Sequence, residues 1–231
     1  MEREVIRTKN FAWDAADFIL REARSAMVAR NEFRVALSGG NTPRPVYGRI
    51  AQTGFDVPPE RLVITFGDER CVPPEDEKSN YRMAKESLLG PLMIPEKSVL
   101  RMRGELDPEM AAHEYEAALD DLAVASGEEI YRHDLLLLGL GEDGHTASLF
   151  PDSAALNEMT RRVVPNFVAK LNSWRLTFTF PLIAAARRVC FLVDGRKHAE
   201  LIDRVWSGDG DLPASQVDRA AAAVTWILAD A

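Results

Sequence analysis

Residues 134–151 read DLLLLGLGEDGHTASLFP. Four consecutive leucines bounded by an aspartate and a glycine predict a short strand buried on both faces, as in a parallel sheet. The glycines that follow spell G-L-G-E-D-G, which matches the G-x-G-x-x-G turn of dinucleotide-binding proteins. That turn works only when a full helix follows it and an acidic residue stands about 20 positions on, at the end of the next strand. Pro151 comes seven residues after Gly144, and the region near residue 164 is the basic, apolar RRVVPNF. Neither condition is met, and the nicotinamide reading fails on context. What remains is a flexible turn that delivers Asp143 and His145 at the end of a buried strand.

Working outward from this strand, the periodicity alternates between helix and strand. FAWDAADFILREARSAMVAR (11–30) carries apolar residues at helical spacing, and FRVAL (33–37) reads as a buried strand. A helix follows from Pro43 to about residue 51, then the strand RLVITF (61–66), a polar loop, and a helix over about 80–89. SVLRM (98–102) predicts a short strand and 107–125 a long helix. Beyond the leucine strand come RRVV (161–164) and RLTFTF (175–180), whose alternation predicts one less-buried face. A short helix near 181–186, the strand RVCFLV (188–193), a helix over about 196–206 and the strand AVTWIL (223–228) complete the chain. No linker or repeat divides residues 1–231, so one domain is expected: an α/β fold with a doubly wound, mostly parallel sheet flanked by helices. Such sheets bind ligands beyond the carboxyl ends of their strands, which directs attention to the loops after residues 37, 66, 138 and 193.

Composition narrows the chemistry. The net charge of −8 argues against nonspecific nucleic-acid binding, and it requires that any anionic substrate be held by a local cationic pocket. Two cysteines without a C-x-x-C spacing, Cys71 and Cys190, imply neither a disulfide framework nor a thiolate metal site and read as structural. The four histidines show no H-E-x-x-H pairing, so no metal is expected. MEREVIRTKN lacks the apolar region of a signal peptide and no run approaches membrane-spanning length; a reducing, cytoplasmic compartment without membrane association is the expectation.

The first loop is SGGNTP (38–43). Gly39 and Gly40 allow the backbone to bend closely around a ligand, Thr42 is a natural N-cap, and Pro43 suits the first helical turn. A glycine turn leading into a helix offers unpaired N–H groups to an anion, although a plain strand-to-helix turn has the same spelling. No G-K-[ST] follows, so it is not a Walker loop. The second loop carries Asp68, Glu69 and Arg70 where a strand ends; alone, such a cluster is ordinary solvated surface. In the third, an imidazole is the side chain whose ordinary pKa lies nearest neutrality, suited to take a proton from water, and a carboxylate two residues away could fix its tautomer. Arg175, Lys197 and His198 are each unremarkable as surface residues, yet together with SGGNTP they could complete a phosphate clamp.

SGGNTP, FGDER with SN reaching thirteen residues past Gly67, GLGEDGHTASLFP, RLTFTFP, LPAS and the closing VTWILADA together resemble the 6-phosphogluconolactonases. The motifs run in family order from about residue 36 to the end, and the histidine element is long and specific. The resemblance implies a deaminase/isomerase-like Rossmann-type fold and hydrolysis of a phosphosugar lactone, 6-phospho-D-glucono-1,5-lactone, to 6-phosphogluconate, with no metal or cofactor, by a monomer or homodimer. It implies His145 as the general base, oriented by Asp143, and Arg70 for the developing oxyanion or a sugar oxygen. Ser38, Gly39, Gly40, Thr42 and Arg175 would hold the phosphate, with Asp68 either binding sugar or structural.

The family's late glycine is usually followed three residues on by a lysine; here that position is His198, leaving Lys197, Arg196 or His198 to fill the role. Lys170, five residues before Arg175, matches a family lysine in an otherwise divergent segment. The related glucosamine-6-phosphate deaminases place a carboxylate five residues after the histidine, where this chain has Phe150, and read D-E-Y where it has Arg70. An isomerising deaminase needs acid–base groups for ring opening and proton transfer, and Phe supplies none. A deaminase and a non-enzymatic sugar-phosphate sensor are the alternative readings.

Overall fold

The computed structural model describes residues 2–208 and 212–230. A six-stranded, wholly parallel sheet runs through it in the order β1-β9-β8-β5-β2-β3, built from β1 (Glu2–Thr8), β2 (Phe33–Leu37), β3 (Leu62–Phe66), β5 (Leu135–Leu138), β8 (Val189–Val193) and β9 (Ala223–Ala229). β4 (Asp68–Arg70), β7 (Ser173–Phe178) and β6 (Val163–Val168) form a separate antiparallel sheet in that order. The expected doubly wound sheet is present; the second sheet is not legible from periodicity.

The four leucines of β5 show why the apolar runs form central strands. Leu135 and Leu137 enter the core under α1 (Phe11–Arg30), α2 (Pro43–Thr53) and α3 (Asn80–Ala84), while Leu136 and Leu138 enter the core on the other face. That second core is covered by α4 (Pro108–Ala125), α5 (Phe180–Ala185), α6 (Ala199–Ser207) and α7 (Pro213–Ala220), and it also draws in Val163, Leu176 and Phe178 of the small sheet. A strand buried on both faces can be apolar throughout, so period-two alternation disappears.

Several elements differ from the sequence reading. β1 lies at the sheet edge with five of its first six residues exposed, so its polar EREVIRT carries no core signal. It is held by the guanidinium of Arg3, which donates to the buried Asp218 of α7; Asp218 also accepts the indole N–H of Trp226 at 2.8 Å. SVLRM forms no strand: a 3₁₀ turn over Glu96–Ser98 leaves a single parallel bridge between Ile64 and Val99. In β7 only the first half has an exposed face, because Leu176, Thr177 and Phe178 are all buried between the small sheet and the main core. α6 begins at Ala199 rather than 196, since Asp194 accepts the Arg196 N–H at 3.2 Å and holds the preceding residues in a turn. The helix over 80–89 is a short α-helix continued by a π-helical turn (Lys85–Leu89), and α7 has no counterpart in the sequence reading. No described helix is long and apolar enough to cross a membrane.

Candidate active site

β5, β2 and β3 are neighbours, and the chain leaves β2 toward β3 on one side and reaches β5 on the other. The space beyond the carboxyl ends of β2 and β5 is therefore a topological switch point, where open α/β sheets hold ligands. A cleft of about 220 Å³ lies there, lined by residues 38–43, by Gly67, Asp68, Arg70 and Asn80, and by residues 137–141 and 145–147, His145 among them. Seven of the twelve residues singled out in the sequence line it: Ser38, Gly39, Gly40, Thr42, Asp68, Arg70 and His145.

The loop after β2 is fixed from below. Buried Tyr47 of α2 accepts the Ser38 N–H at 3.0 Å and donates its own hydroxyl to the Ser38 carbonyl at 2.8 Å. Burial pushes the Tyr47 phenol far up, so it remains a donor. The Ser38 hydroxyl is buried and has no partner within the protein, an unusual condition that points to a group the cleft would receive. A Cβ on Gly39 would overlap the Asn80 side chain, so only glycine permits this approach. Thr42 occupies the N-cap position of α2 but is already helical (φ −70°, ψ −45°) and caps nothing with its side chain; Pro43 stands in the first turn as expected.

The histidine loop is held on four sides. Nδ1 of His145 faces Oδ1 of Asp143 at 2.5 Å, and the same oxygen accepts the His145 backbone N–H at 3.2 Å. With Nδ1–H donating to the carboxylate, Nε2 is left as the basic nitrogen. Phe150 stacks on the imidazole, with ring centroids 4.0 Å apart and planes 26° from parallel. A Cβ on Gly141 would overlap the same ring, so the imidazole lies directly on bare backbone. α7 braces the turn from outside: the Ala214 N–H donates to the Gly144 carbonyl at 3.0 Å. Partial burial works to raise the Asp143 carboxyl, but hydrogen bonds from Lys170 and His145 outweigh it and hold the group down at about 2.

β4 presents the second loop. Both oxygens of buried Asp68 are engaged, by the Ser148 hydroxyl at 2.6 Å and the Asn80 amide at 3.1 Å. Glu69 turns inward and accepts the backbone N–H groups of Asn80 and Tyr81 at 2.7 and 2.8 Å; burial raises its carboxyl while those donors oppose the shift. Asn80, signalled in the sequence only by the SN after the acidic loop, thus holds Asp68 and packs closely against Gly39. Arg70 donates to the Lys78 carbonyl and lies directly opposite Arg175 across the β4–β7 pair. Burial, and then the facing Arg70 charge, lower the pKa of the Arg175 guanidinium, which donates to Ser173 Oγ at 2.7 Å. Two like charges placed opposite each other across a sheet repel, and an anion between them would relieve the repulsion.

Asp143, Lys170 and Arg175 do not line the cleft: Asp143 contacts His145 and Arg175 faces Arg70, which do line it, while Lys170 reaches His145 only through Asp143. Lys197 and His198 stand apart, lining an adjoining cavity of about 470 Å³ with Glu142 and Arg196. Cys71 and Cys190 are both free thiols, and burial raises each of them, Cys71 to about 11. Among the described residues no three His, Cys, Asp or Glu side chains gather as a metal site would require.

Residues 7–226 match the family model described as glucosamine-6-phosphate isomerases/6-phosphogluconolactonase. A 6-phosphogluconolactonase of Synechocystis is 39% identical over 187 residues, covering 80% of this chain and 76% of the relative. The 6-phosphogluconolactonase of Homo sapiens is 35% identical over 210 residues, covering 88% of this chain and 80% of its own. Among solved structures, the 6-phosphogluconolactonase of Trypanosoma cruzi superposes with a TM-score of 0.86 at 30% identity over 99% of this chain and 95% of that one. That of Thermotoga maritima gives 0.85 at 26% identity, over 98% and 99%.

Proposed function

The chain belongs to the family of glucosamine-6-phosphate isomerases and 6-phosphogluconolactonases, and from that premise we propose that it hydrolyses 6-phospho-D-glucono-1,5-lactone to 6-phospho-D-gluconate, a step of the pentose phosphate pathway. The observation that carries the reading is the Asp143–His145 pair opening onto the same cleft as the Ser38–Thr42 loop. One end of that cleft suits a phosphate and the other offers a base.

His145 Nε2 takes a proton from water as the water oxygen attacks the C1 carbonyl, and Asp143 favours the imidazolium that forms. The negative charge gathers on the carbonyl oxygen, where Arg70 supplies the compensating donor. Collapse of the tetrahedral intermediate breaks the bond from C1 to the ring oxygen, and the imidazolium returns the proton to that oxygen, which leaves as a hydroxyl. The carboxylic acid then ionises.

The phosphate is assigned to the Ser38 hydroxyl, the N–H groups of Gly39, Gly40 and Thr42 at the start of α2, and Arg175 behind Arg70. Asp68 is assigned a structural role, because both its oxygens are already bonded within the protein. Lys197 and His198 are left as outer contacts at most.

A deaminase reading is disfavoured by Phe150, whose ring fills the place of the required carboxylate and stacks on the histidine. We read residues 1–231 as one domain, since the two sheets share a core and a cleft, and place it as a monomer or homodimer in the cytoplasm. The deciding measurement is hydrolysis of freshly prepared 6-phosphogluconolactone, corrected for the spontaneous reaction; a rate no faster than buffer refutes the proposal.

A further inference from the structure

Lys170 stands on the 3₁₀ turn Ala169–Leu171 that joins β6 to β7, far in sequence from the histidine loop. The turn is closed by Asn172, whose left-handed backbone (φ 45°) lets its N–H donate to the Ala169 carbonyl at 3.1 Å. From there the ammonium reaches Oδ2 of Asp143, the oxygen more remote from the imidazole, and lies 4.7 Å from the centroid of the Phe150 ring. Asp143 and Phe150 are the two side chains that hold His145, one at the edge of its ring and one on its face. Lysine, carboxylate, imidazole and phenyl ring therefore form a closed circuit spanning both sheets.

We propose that Lys170 is a positioning residue for the reacting histidine rather than a phosphate ligand: it clamps Asp143 and Phe150, and through them fixes the imidazole and divides the carboxylate's charge. An exposed ion pair of this kind contributes little to folding stability. Its effect falls on geometry and proton affinity. A carboxylate shared with an ammonium stabilises an imidazolium less than one facing the imidazole alone, so the lysine acts on the histidine through Asp143. Among the described residues, Asp68 and Arg70 of β4 line the same cleft as the ring, and Glu142 of its own loop lines the adjoining cavity with Arg196, Lys197, His198, Glu200 and Arg204. Asp68 is tied to Ser148 and Asn80, and Arg70 to the Lys78 carbonyl, so neither substitutes for the lysine.

The proposal rests on His145 as the base, and its test separates the two. Lactonase kcat and KM are compared across about pH 5.5 to 8.5 for wild type, Lys170→Met, Lys170→Arg, Asp143→Asn and the Lys170→Met/Asp143→Asn pair. Lys170→Met is expected to lower kcat about tenfold, leave KM within about twofold, and move the acidic limb of the profile to higher pH. Lys170→Arg restores most of the loss. Adding Lys170→Met to Asp143→Asn costs less than about threefold more, because the lysine acts through the carboxylate. A KM rise with kcat retained would make Lys170 a direct substrate ligand and overturn the proposal, as would equal losses in both backgrounds or no change at all. In the absence of substrate, the NMR titration of the His145 Cε1–H signal must differ between wild type and Lys170→Met. An unchanged titration refutes the clamp whatever the kinetics, whereas full activity in His145→Ala refutes only the base.

Discussion

Phe150 stacks on His145, with ring centroids 4.0 Å apart and planes 26° from parallel. The stack closes one face of the imidazole while Asp143 holds its edge, so the ring has one orientation and one free nitrogen. A hydrolase needs no more than this from its base, since water supplies the nucleophile and the substrate carbonyl the electrophile.

Removing the imidazole removes the proposed base but little of the fold, because His145 lies at the cleft rather than in either core. His145→Ala is expected to lower kcat by about 10²- to 10⁴-fold, with KM and the circular dichroism spectrum near wild type. Loss confined to KM would assign the residue to binding.

Phe150→Leu keeps an apolar side chain in a site only 5% exposed but deletes the aromatic face. The volume is roughly conserved, so stability should fall by less than about 1.5 kcal/mol. The imidazole gains freedom, and kcat should drop several-fold without a matching change in KM. Thermal unfolding and steady-state kinetics on one preparation separate the two effects.

Gly141→Ala tests the other face. The backbone there has no positive φ, yet a methyl group would occupy the volume of the His145 ring. The ring must leave its contact with Asp143, so kcat should fall nearly as far as in His145→Ala while the melting temperature moves little. A crystal structure of the variant should show the displaced imidazole.

Much of this site was legible in the sequence, for a physical reason. A parallel sheet buried on both faces writes its strands as apolar runs, and its active-site loops must follow them, so LLLL before G-L-G-E-D-G-H located the histidine directly. What stayed hidden depends on pairing between distant segments. The D-E-R run reads as a solvated cluster, yet Glu69 is buried and accepts the N–H groups of residues 80 and 81. β1 reads as a polar tail because its partner β9 lies at the other end of the chain. Lys170 matched a family lysine, but its reach to Asp143 follows from the β6–β7 hairpin and leaves no mark in local spacing.

Arg70 and Arg175, opposite each other on β4 and β7, should divide between the chemical step and substrate binding. Arg70 lines the cleft and is assigned to the charge that develops on the carbonyl oxygen, so losing a charge-assisted hydrogen bond worth about 1.5–3 kcal/mol corresponds to a fall of about 10- to 100-fold in kcat for Arg70→Met. Arg175→Met, which removes a group assigned to the phosphate, should instead raise KM, with part of the loss offset by relief of the like-charge pair. A Lys197→Met/His198→Ala double variant, altered only in the adjoining cavity, should change KM by less than about threefold. Inorganic phosphate, titrated as a competitive inhibitor against each variant, should lose more affinity in Arg175→Met than in Arg70→Met.

The fold's acid sensitivity should trace in part to His133, which lies wholly buried beside Tyr131 and Phe178, with Nε2 2.9 Å from Thr65 Oγ1. Burial, and then the Arg34 guanidinium, push its pKa down to about 3, against an ordinary 6.5. The sign follows from which state binds the proton. Below the ordinary value the unfolded chain takes up a proton that the folded protein refuses, so stability is full above 6.5 and is lost as pH falls from there toward 3. Between pH 7 and pH 5 one such proton corresponds to about 2 kcal/mol. His133→Phe removes that term and keeps an aromatic ring in the cluster. Urea unfolding at the two pH values should show the wild type losing about 2 kcal/mol more than the variant. Equal losses would mean that His133 is protonated in the folded protein, with Thr65 and its unpaired Nδ1 accommodating the charge.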